Sequence, residues 1–169
     1  CLATDISGTC LKKAIDNIKK YNLNIETKIT NGLEGIDYLN YDYIVISGMG
    51  FKTIKKILEG KIPNKLIIQS NNNIEELKYH LLKKYKLIDE KIVYENGFYY
   101  VISLFEKGRK RYRYADYIIG LNKDNQEYID YLYNKYKDIY NKMPNKYILK
   151  KIGLYKKVKT IEKYQKALI

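Results

Sequence analysis

The stretch Tyr43-Ile44-Val45-Ile46-Ser47-Gly48-Met49-Gly50 (YIVISGMG, residues 43–50) decides the fold class. Its first four residues are apolar and mostly β-branched, as expected of a strand covered on both faces. A serine and two glycines then turn the chain into a helical pattern around residues 53–59. Strand, glycine turn and helix in that order make half of a βαβ unit. Working outward, the same alternation recurs over residues 1–106. A strand ends at residues 2–5, and Ser7 or Thr9 is placed to cap a helix running to about Tyr21. A second strand spans 25–30 and closes on Asn31-Gly32. After Pro63-Asn64 a strand covers 66–69, with Asn73 placed to cap a helix over 75–85. Segments 91–94 and 99–105, joined through Asn96-Gly97, read as a β-hairpin. The expected architecture is a mostly parallel α/β sheet of Rossmann-like type, and no internal repeat is visible.

Beyond Glu106 the composition shifts. Residues 107–114 read KGRKRYRY, with five cations in the first seven positions. Ile129, Leu132, Tyr133, Tyr136, Ile139, Tyr140 and Met143 follow helical spacing, and Pro144 ends the run. Leu154, Val158, Ile161 and Leu168 form a weaker second stripe, with Gly153 as its weak point. The expectation is a helical hairpin over 107–169 appended to a sheet domain at 1–106.

The chain has 169 residues and a net charge of +13. Much of its lysine excess accompanies a high content of Asn, Ile and Tyr, all of which have A/T-rich codons. The distribution says more. Residues 107–169 hold 17 of the 32 basic side chains but only 6 of the 19 acidic ones, a net of +11. Codon bias acts on both parts alike, so this asymmetry marks a basic module suited to nucleic acid. No run of apolar residues is long enough for a membrane helix, and no cationic, apolar leader opens the chain. Two cysteines, Cys1 and Cys10, without CxxC spacing suit a reducing cytoplasm and argue against a zinc or redox site. Cys10 reads as a small core residue. His80 is the only histidine and has no evident metal or catalytic partner.

Parallel α/β sheets bind ligands at the carboxyl ends of their strands. The polar and glycine signals fall at those ends: Asp5, Asn31-Gly32, Ser47-Gly48-Met49-Gly50 and Gln69-Ser70-Asn71. An acid at a strand end suits ribose hydroxyls, and glycine lets backbone approach a flat base.

In this order ATDIS (3–7), KKAIDNIKKYNL (12–23), NGLEGI (31–36), IVISGMG (44–50), LIIQSN (66–71) and NGFYYVI (96–102) resemble the bacterial tRNA (adenine(22)-N(1))-methyltransferases, the TrmK family. The resemblance covers about the first 106 residues. It implies a class I fold, S-adenosyl-L-methionine as cofactor and tRNA as substrate. It implies further that Asp5, with Ile6, holds the cofactor ribose and that Asn31, Gly32 and Leu33 lie beside the adenine. Ser47, Gly48, Met49 and Gly50 would lie under the methionine portion. Gln69, Asn71 and Tyr99 would face the target base, Gln69 or Asn71 accepting from its N6–H and Tyr99 stacking on its ring. Arg109, Lys110, Arg111 and Arg113, interleaved with Tyr112 and Tyr114, are the candidate RNA contacts through forked cations and stacking faces. Against the family pattern, Asn31 stands for Asp, Phe51 for a second glycine, Ser70 for proline and Tyr100 for Glu. The family's opening strand, its Asp-Ile-Gly-rich loop and the helix after it have no counterpart. The expectation is therefore a truncated chain whose sheet breaks between the strands ending at Asp5 and Ser47. Two other readings remain open: a non-catalytic RNA-binding remnant lacking the cofactor loop, and a different α/β nucleotide binder such as an oxidoreductase.

Overall fold

The computed structural model describes residues 1–122 and 125–166, with side chains described to Thr160. Strand β1 (Leu2–Asp5) leads into helix α1 (Gly8–Lys20), and β2 (Glu26–Ile29) returns parallel to β1, Asp5 lying opposite Ile29. Ser7 caps α1 by accepting the Cys10 N–H at 3.3 Å. After a 3₁₀ turn at Tyr38–Asn40 come β3 (Ile44–Met49), α2 (Phe51–Ile57), β4 (Lys65–Ser70) and α3 (Ile74–Leu81). The long hairpin β5 (Tyr85–Glu95) and β6 (Phe98–Lys107) follows. Its turn places Asn96 at φ 50° and Gly97 at φ 85°, the left-handed pair that matches strand twist and that Asn-Gly adopts cheaply.

The sheet is in two pieces. Among the described residues β1 pairs with β2 alone, while the second piece has the order β3-β4-β6-β5. No ladder joins β1 to β3, so the break falls where the sequence places it. The second piece is mixed: β3 and β4 are parallel, whereas β6 runs antiparallel to both β4 and β5. The reason is the hairpin, since a two-residue turn can only reverse direction.

One face of the four-stranded piece carries the main core. Ile46, Leu66, Ile68, Leu87 and Phe105 meet Ile54 and Leu58 around α2, and Leu77 and Leu81 of α3. Leu66, Ile68, Ile54, Leu77 and Phe105 are fully buried. A second cluster joins Val101 of β6 to α4 (Tyr114–Ile119), α5 (Gln126–Lys142) and α6 (Lys146–Lys166). At its centre is Tyr155, which is fully buried. Ile129 and Leu132 of the expected stripe are buried, and Tyr133 and Tyr136 pack beside them, while Ile139 and Met143 at its far end are exposed. Leu154 and Val158 pack as expected. Leu168 lies outside the described residues, as does the side chain of Ile161. Gly153 does not interrupt α6, which runs unbroken through it.

Three further expectations are corrected. Helix α3 ends at Leu81 and not at Tyr85, because Tyr85 starts β5 and is itself buried in the core. Asn73 does not cap α3 through its side chain; it adopts φ 48°. Cys10 is exposed, since the buried face of α1 is held by Leu11.

A buried ion pair ties the two clusters together. Glu90 of β5 meets Lys78 of α3, accepts from Ser103 Oγ at 3.0 Å, and accepts from the Leu121 N–H and Asn122 Nδ2 at 3.0 and 2.6 Å. Burial pulls the Lys78 amine below its ordinary pKa, and the Glu90 carboxylate opposes that shift. With four donors around it, this buried carboxylate is satisfied, which is the condition for a buried charge to be tolerated. Gly120, at φ 67°, leaves the room this pair needs, for a Cβ there would strike both charged groups.

Candidate active site

The decisive geometry is a bulge in β3. Its ladder to β4 runs regularly from Ile44 to Ile46, then shifts register before Met49 pairs with Ser70. Two residues of β3, Ser47 and Gly48, there stand against the single Gln69 of β4, and Gly48 sits at φ 75°. Bulged backbone loses its ladder partners and must find others. Side-chain amides from the end of β4 supply them. Gln69 Oε1 accepts the Gly48 N–H at 2.8 Å and the Ser47 hydroxyl at 3.2 Å. Asn71 Nδ2 donates to the Gly48 carbonyl at 2.7 Å. Gln69 Nε2 then donates to Asn71 Oδ1 at 3.1 Å, closing a ring of amides around one glycine. Because backbone groups fix both ends, the orientation of each amide is determined.

The rest of the loop is held the same way. The Asn71 N–H donates to Met49 O at 3.0 Å, and Ser70 Oγ donates to Asn72 O at 2.7 Å. Asn72 Oδ1 accepts the Phe51 N–H at 3.0 Å, capping the first turn of α2. Phe51 packs against the core and edge-on to His80, with ring centres 6.3 Å apart. Burial, then Lys55, Lys83 and Lys84, lowers the His80 pKa, so this histidine is neutral near pH 7. A Cβ on Gly50 would press on Asn72 at 3.1 Å, whereas a Cβ on Gly48 would meet nothing within 4 Å. Gly48 is thus a rigid, strapped backbone with an open side, where a ligand can come close.

The expected nucleoside contacts lie at the ends of β1 and β2. Asp5 is half-buried, and its Oδ1 accepts the Ser7 N–H at 2.7 Å, which aims the carboxylate. Ile6 beside it is 69% exposed. Asn31 Nδ2 donates to Glu34 Oε1 at 2.9 Å. Gly32 is required for packing, since a Cβ there would fall 2.7 Å from Ile57. Leu33 is buried in the main core, so it can offer a ligand only its backbone.

The three candidates around the target base, Gln69, Asn71 and Tyr99, are not all brought to one place. Gln69 pairs across the sheet with Ile102, so Gln69, Ile102 and Tyr100 share one face. Tyr99, with Val101, points to the other face. There its ring lies 4.7 Å from Tyr94, 4.9 Å from Tyr131 and 5.3 Å from Tyr128. Its surroundings, then Glu127, raise the phenol pKa, so it stays protonated and cannot serve as a base. Asn71, past the end of β4, lines the cavity that holds Tyr99 and also bonds to Gln69. Sequence reading noted Tyr100 only as a departure from the family's Glu, although strand alternation and the Gln69–Ile102 register put it on the glutamine's face. It missed Asn72, whose role depends on a loop-to-loop contact that no local pattern signals.

Arg109, Lys110, Arg111 and Arg113 are all exposed on an irregular segment between β6 and α4. The interleaved tyrosines are half-buried against the body of the protein. The Tyr112 hydroxyl accepts the Leu87 N–H at 2.8 Å, and Tyr114 packs in the second cluster with Lys150 Nζ 4.1 Å from its ring centre. They anchor the segment and leave its cations outside. Among the described residues, no helix is long and apolar enough to cross a membrane, and no cluster of His, Cys, Asp and Glu is arranged to hold a metal.

Comparison with known proteins places this geometry. The tRNA methyltransferase MG248 of Mycoplasma genitalium, so assigned provisionally, is 28% identical over 123 residues. That match takes in 70% of this chain and 56% of MG248, so the chain spans little more than half the length of this curated relative. The structure of M. capricolum TrmK in complex with S-adenosyl-homocysteine superposes with a TM-score of 0.72 at 28% identity, covering 96% of this chain and 79% of that one. Streptococcus pneumoniae Sp1610 with S-adenosyl-L-methionine, provisionally a tRNA (m1A22) methyltransferase, gives a TM-score of 0.80 at 24% identity, covering 93% and 79%. The last likeness bears on fold alone and bears out the Rossmann-like class, while the first two bear out the TrmK resemblance. Residues 1–103 match the family model described as a methyltransferase domain, and on that match the chain belongs to the methyltransferase domain family.

Proposed function

We propose that this chain carries the catalytic domain of an S-adenosyl-L-methionine-dependent tRNA methyltransferase acting on N1 of an adenine, position 22 in the TrmK family. The observation that carries the reading is the strapped, open-sided Gly48 at the carboxyl edge of the sheet. The ends of β1 and β2 add polar groups that fit the cofactor: the Asp5 carboxylate for ribose hydroxyls and the backbone of Asn31–Leu33 for the adenine edge. When bound, the cofactor supplies an electrophilic methyl on sulfur.

The work left to the chain is positioning. Adenine N1 carries a lone pair at neutral pH and is itself the nucleophile, so no strong base is needed. Its place on the Watson–Crick edge requires an unpaired or flipped base. Holding that base in line with the methyl supplies the acceleration. Asn71 is the reading residue: it is exposed, and its Oδ1 keeps a lone pair for adenine N6–H beyond the bond from Gln69. Gln69 has both lone pairs engaged by Ser47 and Gly48, so it acts through Asn71 and Gly48 as a positioning residue. Arg109, Lys110, Arg111 and Arg113 would hold the tRNA body through phosphates, a salt-sensitive contact. Such a substrate places the protein in the cytoplasm.

The test is methyl transfer to an unmodified tRNA transcript, read by primer extension, since a methyl on N1 blocks base pairing. The reading predicts a single stop at the modified adenine that depends on cofactor. Tight tRNA binding with neither transfer nor cofactor binding would instead identify the chain as an RNA-binding remnant.

A further inference from the structure

Between the loop after β4, strand β6 and helix α5 lies a cavity of about 430 Å³, which runs from Asn71 and Asn72 past Tyr99 to Tyr131, Lys135 and Tyr136. We infer that this cavity holds an unpaired ribonucleotide next to the one that reacts, its base stacked on Tyr131. This rests on the methyltransferase reading only for the identity of the neighbouring nucleotide.

Three observations support a base and not another occupant. The cavity is in the size range of small-ligand sites and combines four tyrosine rings, Tyr99, Tyr128, Tyr131 and Tyr136, with polar side chains that include Asn71 and Lys135, the mixture a base with its phosphate needs. Tyr131 is 38% exposed while its ring is steadied by Tyr99 at 4.9 Å and lies nearly parallel to Tyr128, 20° between planes. An exposed but immobilised ring is a stacking platform that accepts any base. Lys135 Nζ lies 5.6 Å from the centre of the Tyr131 ring, placing a cation where the phosphate of a stacked nucleotide falls.

The charges lining the cavity agree. Glu75 is buried at its base and neutralised: it pairs with Lys151 and accepts from the Tyr136 and Tyr155 hydroxyls at 2.8 and 3.2 Å. Glu76 also lines the cavity and is the one acid there without such a partner among the described contacts. It disfavours a phosphate on the α3 side, which leaves the Lys135 side for the backbone and fixes the direction of entry. At its other end the cavity reaches Asn71, one hydrogen bond from Gly48. A nucleotide stacked on Tyr131 therefore lies beside the place where the reacting base must sit.

The test is a fluorescence anisotropy titration of the whole chain with a labelled unpaired hexaribonucleotide and with an RNA hairpin stem, both without cofactor. Losing one stacked base should weaken Tyr131→Ala for the unpaired strand by about 5- to 100-fold. Tyr131→Phe should bind within about twofold of the original, and the stem should be little affected by either change. Lys135→Ala should lower the salt dependence by about one phosphate contact. Unchanged affinity of Tyr131→Ala for the unpaired strand, or an equal loss for strand and stem, would overturn the inference. Calorimetry with S-adenosylhomocysteine separates it from the parent reading: cofactor binding with no Tyr131 effect sinks this inference alone. A Tyr131 effect with no cofactor binding supports the nucleotide site and sinks the enzyme reading alone.

Discussion

Gly48 is the residue on which the site turns. Its φ of 75° and its open Cβ direction are separate facts with separate costs. An alanine there pays for the left-handed backbone, about 1–2 kcal/mol, and also occupies the side left free for a ligand. Gly48→Ala should therefore remain folded, with a modest fall in melting temperature, while cofactor affinity drops by tenfold or more. Thermal unfolding and calorimetry on one sample separate the two effects; a variant that loses stability but keeps full affinity would show that the open side is not a ligand surface. The glycine and its neighbours were legible in the sequence as a strand-end signal. That Gln69 spends its oxygen on Gly48, leaving Asn71 to meet the base, was not. It depends on a bulge, and a bulge is a relation between two strands that neither strand's own pattern encodes.

At the scale of elements, periodicity located nearly every strand and helix, and errors arose where tertiary packing overrides local preference. Tyr85 is drawn out of the α3 pattern because the core has room for it at the start of β5. Gly153 looks like a break yet sits within a continuous helix, held there by Leu154, Tyr155 and Val158 packing against the second cluster. Nothing lies within 4 Å of a Cβ built on Gly153, so Gly153→Ala should stabilise the protein by about 0.5–1 kcal/mol. Denaturant unfolding checks this, and destabilisation would mean that α6 bends at that point. Tyr155 itself was invisible from sequence. Amid so many tyrosines, nothing local distinguishes the one that is fully buried from those that are exposed.

Across the whole molecule, the basic helical part is fastened to the sheet by polar groups as well as by apolar ones. Glu75 of α3 receives Tyr136 of α5 and both Tyr155 and Lys151 of α6. Burial, then nearby Glu76 and neighbouring tyrosines, pushes the Tyr136 hydroxyl up to about 12. A group whose pKa is raised on folding contributes stability that is present below its unfolded value, about 10, and is lost as pH rises through the folded one. Stability should therefore fall between pH 10 and about 12, and Tyr136→Phe should show a shallower fall over that window. Unfolding followed across that range, with tyrosinate absorbance recorded alongside, checks the sign; equal slopes would place Tyr136 outside the linkage. The same fastening sets the wall of the nucleotide cavity, so two cations of the basic part, Lys135 and Lys151, line the same cavity as Asn71.

The most direct measurement is calorimetric titration of S-adenosylhomocysteine into the protein and its Asp5→Ala variant. A cofactor seated on the carboxyl edge of this sheet predicts binding near micromolar strength that weakens by tenfold or more when Asp5 is removed, because a charge-assisted bond to the ribose is worth roughly 1.5–3 kcal/mol. Binding indifferent to Asp5, or none at all, would contradict it.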